Sequence, residues 1–555
     1  MDRRALLAVA LSLLILVAYE QFLRYYYGTP HSAPDEQAVT EKGAEPVRQP
    51  AVTEAPQLAQ GAESAVSSVE QAKAEAPLEP EKILQIESPV YVASFSTHGG
   101  RLVSWRLKKY RTTVERTSPP LELVLPAAGG EAPFVVELRG PGVPTLTDAQ
   151  VAYATELATE RVEVSEGSPV SFVLRGQLGS TQIVKTFTFE AERYTVGHVL
   201  EIANAPAGYT EAALSWSRAL EPRQAKGGPV FTKIAYLEGK KLHEHAFPDL
   251  QKGLVLTGEL WWTGFTDHYF FAGLALDVAP DAPRRLWLKE RTEWVEQKWL
   301  VPLNAQSARL STTAFLGPKD VDALELAGHR FERAVDLGWF GFIAVPLLHV
   351  MQFSHRFTGN YGIDIILLTV LVKLLFIPLT NSSFKSMQQL QKLQPQMAKI
   401  REKYKDDPQQ MNKEMLELYR RHKVNPLGGC LPMLLQLPVF IGLYSALTHA
   451  VELRHAPFVL WIQDLSAPDR LGSVAIPFVE PPGIPVLTLL MGASMFVQQW
   501  MTPSTGDPTQ RQVMMIMPIL FTFMFLGFPS GLTLYWLVNN VLTIAQQYYM
   551  TRMAK

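Results

Sequence analysis

The chain has 555 residues but only one cysteine, Cys430. One thiol cannot form an internal disulfide framework or a thiolate cluster around a metal ion, so both are excluded as the basis of the fold. An excess of positive charge is also missing, because 51 lysines and arginines are opposed by 53 aspartates and glutamates. A chain with this balance is not a general nucleic-acid-binding protein, and we expect no direct contact with nucleic acid.

Motifs of the common catalytic sites are absent as well. The sequence contains no GxxxxGK(S/T) phosphate-binding loop, no HExxH zinc-binding helix and no pair of aspartates within an apolar run. Several histidines lack the spacing of zinc motifs, so core or surface positions are favoured over a metal site; these are His98, His243, His245 and His268. We therefore expect a protein that is not an enzyme and that uses no metal or other cofactor.

The first 80 residues combine an apolar run with a polar stretch. Residues 1–27 are typical of a signal peptide or of an uncleaved signal anchor. Cleavage after Ala33 would leave Pro34 at the cut, which favours an uncleaved transmembrane anchor with its N-terminus in the cytoplasm. Residues 28–80 are rich in Ala, Glu, Gln, Pro and Ser, and they predict a disordered tether on the outer side of the membrane.

Residues 81–327 show the alternating pattern of β-strands. Segments such as Tyr91–Leu107 and Thr181–Ile202 are rich in β-branched residues and are separated by turn residues. Short strands without helical periodicity predict a large all-β sandwich domain. The aromatic run Leu260–Leu276 is compatible with a sugar-binding platform, although the core of the sandwich is the favoured interpretation.

Residues 328–358 connect the β-rich region to the apolar half of the chain. The apolar run Trp339–Met351 covers only 13 residues, whereas a membrane-spanning helix needs about 20. An amphipathic helix in the membrane interface fits this length better than a further span does.

The rest of the chain, 359–555, predicts an α-helical membrane region. Five apolar segments are long enough to be read as spans: 361–380, 429–448, 485–501, 513–528 and 531–549. With the N-terminal anchor they make six spans. The polar segment 381–424 between the first two has apolar residues three and four positions apart, interrupted at Asp406–Pro408, and it predicts an antiparallel helical hairpin.

The distribution of basic residues orients these spans. The predicted hairpin contains ten lysines and arginines, whereas the segment His449–Ile484 contains two, accompanied by four acidic residues. Segments rich in lysine and arginine stay on the cytoplasmic side. Hence the hairpin and both termini are expected in the cytoplasm, and the β domain on the opposite side.

Polar side chains inside the predicted spans are the candidate functional residues. Burial of the charged Lys373 side chain in a bilayer costs free energy. Either its flexible side chain extends to the membrane interface or the residue serves a function. For each of the other residues alone, a hydrogen bond between helices is the favoured explanation. Together they predict a hydrated cavity formed by four spans, and its candidate residues are Lys373, Thr369, Gln436, Ser494, Gln498, Tyr535, Trp536, Asn539, Asn540 and Thr543.

Three stretches resemble one known family, the YidC/Oxa/Alb membrane-protein insertases, and the β-rich region resembles the Gram-negative bacterial branch. The stretches are VNPLGGCLPMLLQLPVFIGLYSAL, LQPQMAKIREKYKDDPQQMNKEMLELYRRHK and FPSGLTLYWLVNNVLTIAQQ. The resemblance implies an inner-membrane insertase and chaperone without nucleotide hydrolysis. It also implies an outer domain with a galactose-mutarotase-like β-supersandwich fold and five core spans.

The family resemblance further implies a hydrophilic groove that is open to the cytoplasm and to lipid. Lys373 stands where the family carries an arginine, which keeps the charge but loses the bidentate fork. Trp536 stands at the position of one of the family's client-contacting tyrosines. The implied partners are newly made membrane proteins, the lipid bilayer, the Sec translocon, and ribosomes or targeting factors at the hairpin.

Two other functions are compatible with parts of the sequence. A small-solute transporter would also need polar residues within its spans, but the internal repeats common in transporters are not found. A carbohydrate-processing enzyme would use the β domain, but a convincing catalytic constellation is not visible.

Overall fold

The computed structural model describes residues 80–115, 117–125, 130–157, 159–220, 232–277, 284–422, 431–477, 479–501 and 508–553. The anchor predicted at 1–27 lies outside these residues, and so does the tether predicted at 28–80 except for its last residue. Cys430 also lies outside them.

The β-rich region forms strands wherever buried and exposed side chains alternate. In the segment Thr181–Phe189 every second residue is buried, as a strand with one face on a core requires. The strands are β1 Ile83–Glu87, β2 Tyr91–Ser96, β3 Arg101–Arg111, β4 Pro120–Glu122, β5 Val135–Arg139, β6 Leu146–Thr147, β7 Ala154–Thr155, β8 Arg161–Glu163, β9 Val170–Leu178, β10 Thr181–Phe189, β11 Thr195–Ala203, β12 Glu211–Ala219, β13 Lys233–Glu238, β14 Lys241–Ala246, β15 Leu254–Gly258, β16 Leu260–Thr266, β17 Phe270–Leu276, β18 Arg284–Glu290, β19 Trp294–Pro302 and β20 Ala308–Pro318.

These strands form three sheets that share one apolar core. The orders are β4-β3-β2-β1-β8, β14-β13-β16-β17-β20-β11-β10-β9-β7 and β15-β18-β19-β12-β5-β6. The indole of Trp299 in β19 donates a hydrogen bond to the carbonyl of Leu274 in β17, so the second and third sheets pack face to face. Phe95 of β2 packs against Phe187 of β10 and joins the first sheet to the second. The region is therefore a layered β-sandwich, as predicted.

The aromatic run Leu260–Leu276 belongs to this core. It forms the antiparallel pair β16–β17, and the side chains of Trp262, Phe265, Phe270 and Phe271 are fully buried. Burial of these rings confirms the core interpretation and leaves them unable to serve as a sugar platform.

The helices follow the β region. They are α1 Val321–Ala327, α2 Gly341–Thr358, α3 Tyr361–Lys403, α4 Pro408–Arg421, α5 Leu431–His449, α6 Val486–Met501, α7 Pro508–Met524 and α8 Ser530–Met553. Short 3-10 turns lie at Phe247–Leu250, Phe331–Ala334, Val451–Leu453 and Phe525–Gly527.

Helix α3 covers both the span predicted at 361–380 and the first arm of the predicted hairpin. It runs for 43 residues without interruption, although Pro378 and Pro395 lie within it. The second arm is α4, whose N-terminus is capped by the carboxylate of Asp407. A small cluster around Leu393 and Leu418 joins the two arms.

Helix α2 has one packed and one exposed apolar face. Leu348 and Met351 are buried, and the helix packs against α3 and α5. By contrast, Phe342, Phe353 and Phe357 are between 61% and 77% exposed. The predicted position of this helix in the membrane interface stays a prediction, and its exposed apolar face is compatible with it.

Only some of the described helices are long enough to cross a membrane. Among the described residues, α3 alone is both long and apolar enough to span a bilayer, while Val486–Met501 and Met514–Gly527 are shorter apolar helices. The six predicted spans therefore stay a prediction.

The β region contacts the helical region through what we call the outer junction, formed by Arg111, Thr112, His268, Phe270, His449 and Arg454. The guanidinium of Arg454 donates hydrogen bonds to the carbonyls of Arg111 at 2.8 Å and Thr112 at 3.3 Å. It also lies 5.3 Å from the centre of the Phe270 ring. The rings of His268 and His449 stack at 5.2 Å. The segment that follows α5 is therefore on the same side of the helices as the β region.

Candidate functional site

Helix α8 brings most of the candidate residues together. It packs against α3 and α6 and also contacts α5. Polar residues recur on α8 at spacings of three and four, from Tyr535 to Gln546, which places them along one side of the helix.

The contact between α3 and α8 contains the one candidate with a full charge. The ammonium of Lys373 donates a hydrogen bond of 2.6 Å to the hydroxyl of Thr543. That hydroxyl in turn donates to the backbone carbonyl of Asn539, 2.6 Å away. Among the described residues this ammonium is half-buried and bonded to a neutral group, without an ion pair to a carboxylate. The charge is thus not neutralised by a carboxylate among the described residues.

The same helix pair continues as a polar seam toward the hairpin. The side-chain amide of Gln546 donates to the hydroxyl of Thr380 at 3.0 Å and to the side-chain oxygen of Asn381 at 2.8 Å. Helical spacing in the sequence places Thr380 on the face of Lys373, two turns away, and Gln546 on the face of Thr543, one turn away. Asn381 was not predicted.

Two further pairs join α8 to α6 and α5. The side-chain amide of Asn540 donates to the hydroxyl of Ser494 at 3.0 Å, and both residues are buried. The hydroxyl of Tyr535, in a side chain only 2% exposed, is hydrogen-bonded to Gln436 of α5. These two pairs have the geometry of hydrogen bonds between helices.

The remaining three candidates have other surroundings. The Trp536 ring packs edge-on against Phe440, with ring centres 4.7 Å apart, and lies 5.2 Å from Phe525. Thr369 is buried and donates to the carbonyl of Ile365 in its own helix. Gln498 is half-buried on α6, the helix that carries Ser494. The candidates thus divide into the seam around Lys373, two buried pairs, an aromatic cluster and single positions.

A buried carboxylate at the beginning of α3 was missed in the sequence analysis. Asp364 is fully buried and accepts hydrogen bonds from Ser354 at 2.7 Å, from Thr358 at 2.7 Å and from the Nδ1 atom of His355 at 2.8 Å. The His355 ring stacks on Tyr361 at 3.6 Å. These bonds attach the end of α2 to α3. An aspartate within the apolar segment 361–380 was the signal, because such residues are rare inside spans.

Among the residues that the structure describes, there is no group of three or more His, Cys, Asp or Glu side chains that could hold a metal ion. The polar contacts of α8 consist of hydroxyls, amides and one ammonium, which are poor ligands for hard cations compared with carboxylates.

Comparison with known proteins gives two family matches that together cover most of the chain. Residues 83–350 match the family described as YidC periplasmic domain, and residues 353–555 match the family described as 60Kd inner membrane protein. Three similar proteins, each named membrane protein insertase YidC, are from Oleidesulfovibrio alaskensis (38% identical, 99% of both chains), Syntrophobacter fumaroxidans (39%, 100% of both) and Geobacter metallireducens (39%, 100% of this chain and 98% of the relative).

Solved structures with some likeness were also found. An active YidC insertase with its first transmembrane domain resolved is 21% identical, with a TM-score of 0.35, over 85% of this chain and 95% of that one. A mutarotase, YeaD, from Salmonella typhimurium is 13% identical, with a TM-score of 0.29, over 42% of this chain and 90% of that one.

Proposed function

The chain belongs to the YidC family of membrane protein insertases, and from this membership we propose that it inserts client proteins into the inner membrane along the α3–α8 seam. The family acts as an insertase and not as an enzyme. The observation that carries the proposal is Lys373, a half-buried cation bonded only to a hydroxyl among the described residues.

The seam lowers the cost of moving a polar client segment. Each peptide group that enters bare hydrocarbon without a hydrogen bond costs several kcal/mol. Hydroxyl and amide groups from Thr380, Asn381, Thr543 and Gln546 offer partners along part of the path. Exposed apolar side chains such as Leu374 and Leu375 on the same helix then border the lipid, where the client's own apolar span is to be buried.

The Lys373 ammonium supplies attraction, and the client supplies the driving force. An acidic group that approaches the ammonium is attracted more strongly than in water, because the surrounding helices lower the effective dielectric constant. Release follows when the client transfers its apolar span from the seam into lipid, which is favourable by about 25 cal/mol per Å² of apolar surface. A nucleotide is not required for either step.

The buried pairs Ser494–Asn540 and Gln436–Tyr535 are proposed to support the seam. By bonding α6 and α5 to α8 they hold α8 in place, so that its other face can remain against α3. Trp536 contributes an apolar surface beside them, and Thr369, Asn539 and Gln498 are the outlying candidates.

We also propose the location and partners of the chain. The β region would lie in the periplasm and both termini in the cytoplasm, with six spans. This is supported by the outer junction, which places the loop after α5 on the side of the β region. The basic hairpin formed by the end of α3 and by α4 would receive ribosomes or targeting factors, and the Sec translocon would be a further partner.

Removal of the Lys373 charge tests the proposal directly. Purified protein in sealed liposomes, without translocon or nucleotide, is given a single-span client with a short acidic tail, and protease protection of the tail is measured. We expect Lys373→Ala to slow insertion about tenfold, equivalent to about 1.4 kcal/mol in the barrier, and Lys373→Arg to retain most of it. Leu371→Ala, at another exposed apolar position of the same helix, is the control and should insert normally.

The outcomes distinguish the insertase activity from the role of the Lys373 charge in it. Normal insertion by Lys373→Ala would retain the insertase and remove the role of the charge. Equal failure of the wild type and all variants would contradict autonomous insertion.

A further inference from the structure

The loop between α5 and α6 carries a small closed turn that we call the finger, residues 456–465. Its backbone is closed by hydrogen bonds from the Leu465 amide to the Ala456 carbonyl at 3.0 Å and from the Phe458 amide to the Ile462 carbonyl at 2.9 Å. At its tip the side chains of Val459 and Leu460 are 47% and 85% exposed. Two adjacent apolar residues therefore project from a tightly bonded turn.

The backbone at the tip favours another kind of residue. Leu460 has a φ of +56°, in the left-handed region where glycine and asparagine are far more favourable. Leu460 is almost fully exposed, so packing within the chain does not offset its unfavourable backbone conformation. Backbone strain of this kind is concentrated at functional positions, where the surrounding structure holds the residue in place.

The finger is fixed beside the first turn of α3. The side-chain amide of Asn360, which caps α3, donates to the carbonyl of Phe458 at 3.1 Å. The Phe458 ring lies directly against Gly362, where a β-carbon would come within 2.0 Å of its Cδ2 atom. Phe458 thus contacts the beginning of α3, and the tip residues Val459 and Leu460 follow it directly in the chain.

The exposed apolar surface of α3 begins at the same place. Ile363 and Leu367, in its first two turns, are 40% and 47% exposed. Phe357, at the adjoining end of α2, is 77% exposed. The finger tip is therefore continuous with side chains that face lipid on the one membrane-length helix among the described residues.

Below the tip, Trp461 and Asp469 hold the finger to the loop. The indole nitrogen of Trp461 donates a hydrogen bond of 3.1 Å to the carboxylate of Asp469. Asp469 is 3% exposed and also accepts from the amides of Leu487 and Thr488 at the beginning of α6. A tryptophan with an apolar body and a bonded polar edge is typical of the membrane interface.

We propose that the finger is a membrane anchor whose tip, Val459 and Leu460, inserts between the acyl chains of the outer leaflet. Burial of these side chains in lipid removes apolar surface from water and offsets the unfavourable backbone at Leu460. Together with α2, the finger would hold the outer end of α3 from two sides and so set its depth in the bilayer. This anchoring is independent of whether Lys373 acts on clients.

Spin labels report the depth of the tip. The full-length chain with Cys430→Ser carries a single label at Leu460→Cys in liposomes, and collision with oxygen is compared with collision with a water-soluble nickel chelate. Leu375→Cys, on the exposed face of α3, is the lipid reference, and Ser180→Cys, in the exposed turn between β9 and β10, is the water reference. We expect the Leu460 label to resemble the Leu375 label, with oxygen favoured over nickel.

Two results would overturn the anchor. Preference for nickel, as at Ser180, would place the tip in water. Low collision with both reagents would place it against protein, either a second copy of the chain or a client. If Leu460→Cys does not fold, a label at Val459→Cys serves the same comparison.

A second variant separates the side chain from the backbone strain. Leu460→Asn keeps a residue that tolerates the left-handed conformation, so the chain should fold and its thermal unfolding in detergent should not decrease. In liposomes, a label at Val459→Cys should then shift toward nickel accessibility. An unchanged label depth would show that Leu460 does not anchor the finger.

Discussion

Asp277 and His329 form an ion pair on the β region, where the chain begins to leave the sandwich. The Nε2 atom of His329 and the Oδ1 atom of Asp277 are 2.6 Å apart. The hydrogen bond with this carboxylate raises the pKa of His329, although burial and the nearby Arg284 oppose the rise. Burial alone would raise the pKa of Asp277, but its hydrogen bonds with His329 and Ser311 outweigh this and lower it.

These shifts give a pH dependence with a defined sign. A histidine with a raised pKa stabilises the fold fully below its unfolded value of about 6.5, and this contribution is lost as the pH rises through the folded pKa. The contribution of the aspartate is present above its unfolded pKa of about 3.9 and is lost in stronger acid. The pair should therefore stabilise the protein most between about pH 4 and 6.5.

His329→Gln should accordingly lower the thermal unfolding temperature of the detergent-solubilised chain more at about pH 5.5 than at about pH 8. His243→Gln is a control of opposite sign, since burial and the nearby Lys241 lower the pKa of His243. That variant should gain relative stability in acid. An equal loss at both pH values for His329→Gln would contradict the role of the charge.

The polar contacts of α8 show which site residues can be predicted from the sequence. Lys373, Asn540 and Tyr535 were identifiable because polar groups inside apolar runs are rare and recur at helical spacing. Their partners Thr543, Ser494 and Gln436 were identifiable in the same way, but the pairing was not, because the sequence does not say which helix faces which side of α8. Trp536 illustrates the difference, since its ring contacts Phe440 rather than a polar group.

Helix α3 differs from its prediction in where it ends. The apolar pattern predicts a span to 380 and the polar pattern predicts a separate hairpin from 381, because hydropathy changes there. Backbone helicity does not depend on hydropathy, however, and Asn381–Ser383 contain no residue that stops a helix. The helix ends only at Lys403, ahead of Asp407, which caps α4.

The hairpin seam provides a prediction at this scale. Leu393 is 5% exposed and packs in the small cluster that contains Leu418, whereas the adjacent Lys392 is exposed. Leu393→Asp should open the hairpin, because a charge cannot be buried there without a partner. We expect trypsin to cleave the hairpin roughly tenfold faster, as a loss of about 1.4 kcal/mol in local stability implies.

Lys392→Asp introduces the same charge on the exposed side and is the matched control. Its cleavage should remain near the wild-type rate at the other basic residues. Equal acceleration by both variants would mean that the Leu393 contact does not hold the arms together.

For the whole molecule, the outer junction joins the β region to the helices through Arg454. Its guanidinium donates to the carbonyl of Arg111, the last residue of β3, and to that of Thr112, and it lies over the Phe270 ring. Desolvation lowers the pKa of the neighbouring His268, and the nearby His449 lowers it further. Loss of the Arg454 cation would remove the hydrogen bonds that join the helical side of the junction to the β region.

Arg454→Ala should loosen the β3–β4 connection. The amides of Thr112 and Thr113, which bond to Pro119 and Ser118, should exchange hydrogen about tenfold faster, since a hydrogen bond to a charged group contributes about 1.5–3 kcal/mol. Arg309→Ala, an exposed arginine on β20, should leave this exchange unchanged. Unchanged exchange in Arg454→Ala would show that the junction does not depend on this residue.

The arrangement of the sheets is the least predictable part of the fold. Alternation of residues predicts strands such as β10, and the neighbouring pair β10–β11 follows from the short turn between them. The pairing of β11 with β20 joins Thr195 to Phe315 across more than a hundred residues. Such a pairing depends on the packing of the whole core, which local sequence does not encode.

The continuity of α3 has a mechanical consequence. At 1.5 Å per residue its 43 residues extend for about 65 Å, roughly twice the thickness of the hydrocarbon layer. Asn360 and Asp364 fix the first end of the helix, and the hairpin lies at its other end. Pro378 and Pro395 each remove one backbone hydrogen bond, so the helix bends more easily at these two residues, and Pro378 lies five residues beyond Lys373. We therefore expect a force on the hairpin tip to bend the helix there and to move the segment that carries Lys373.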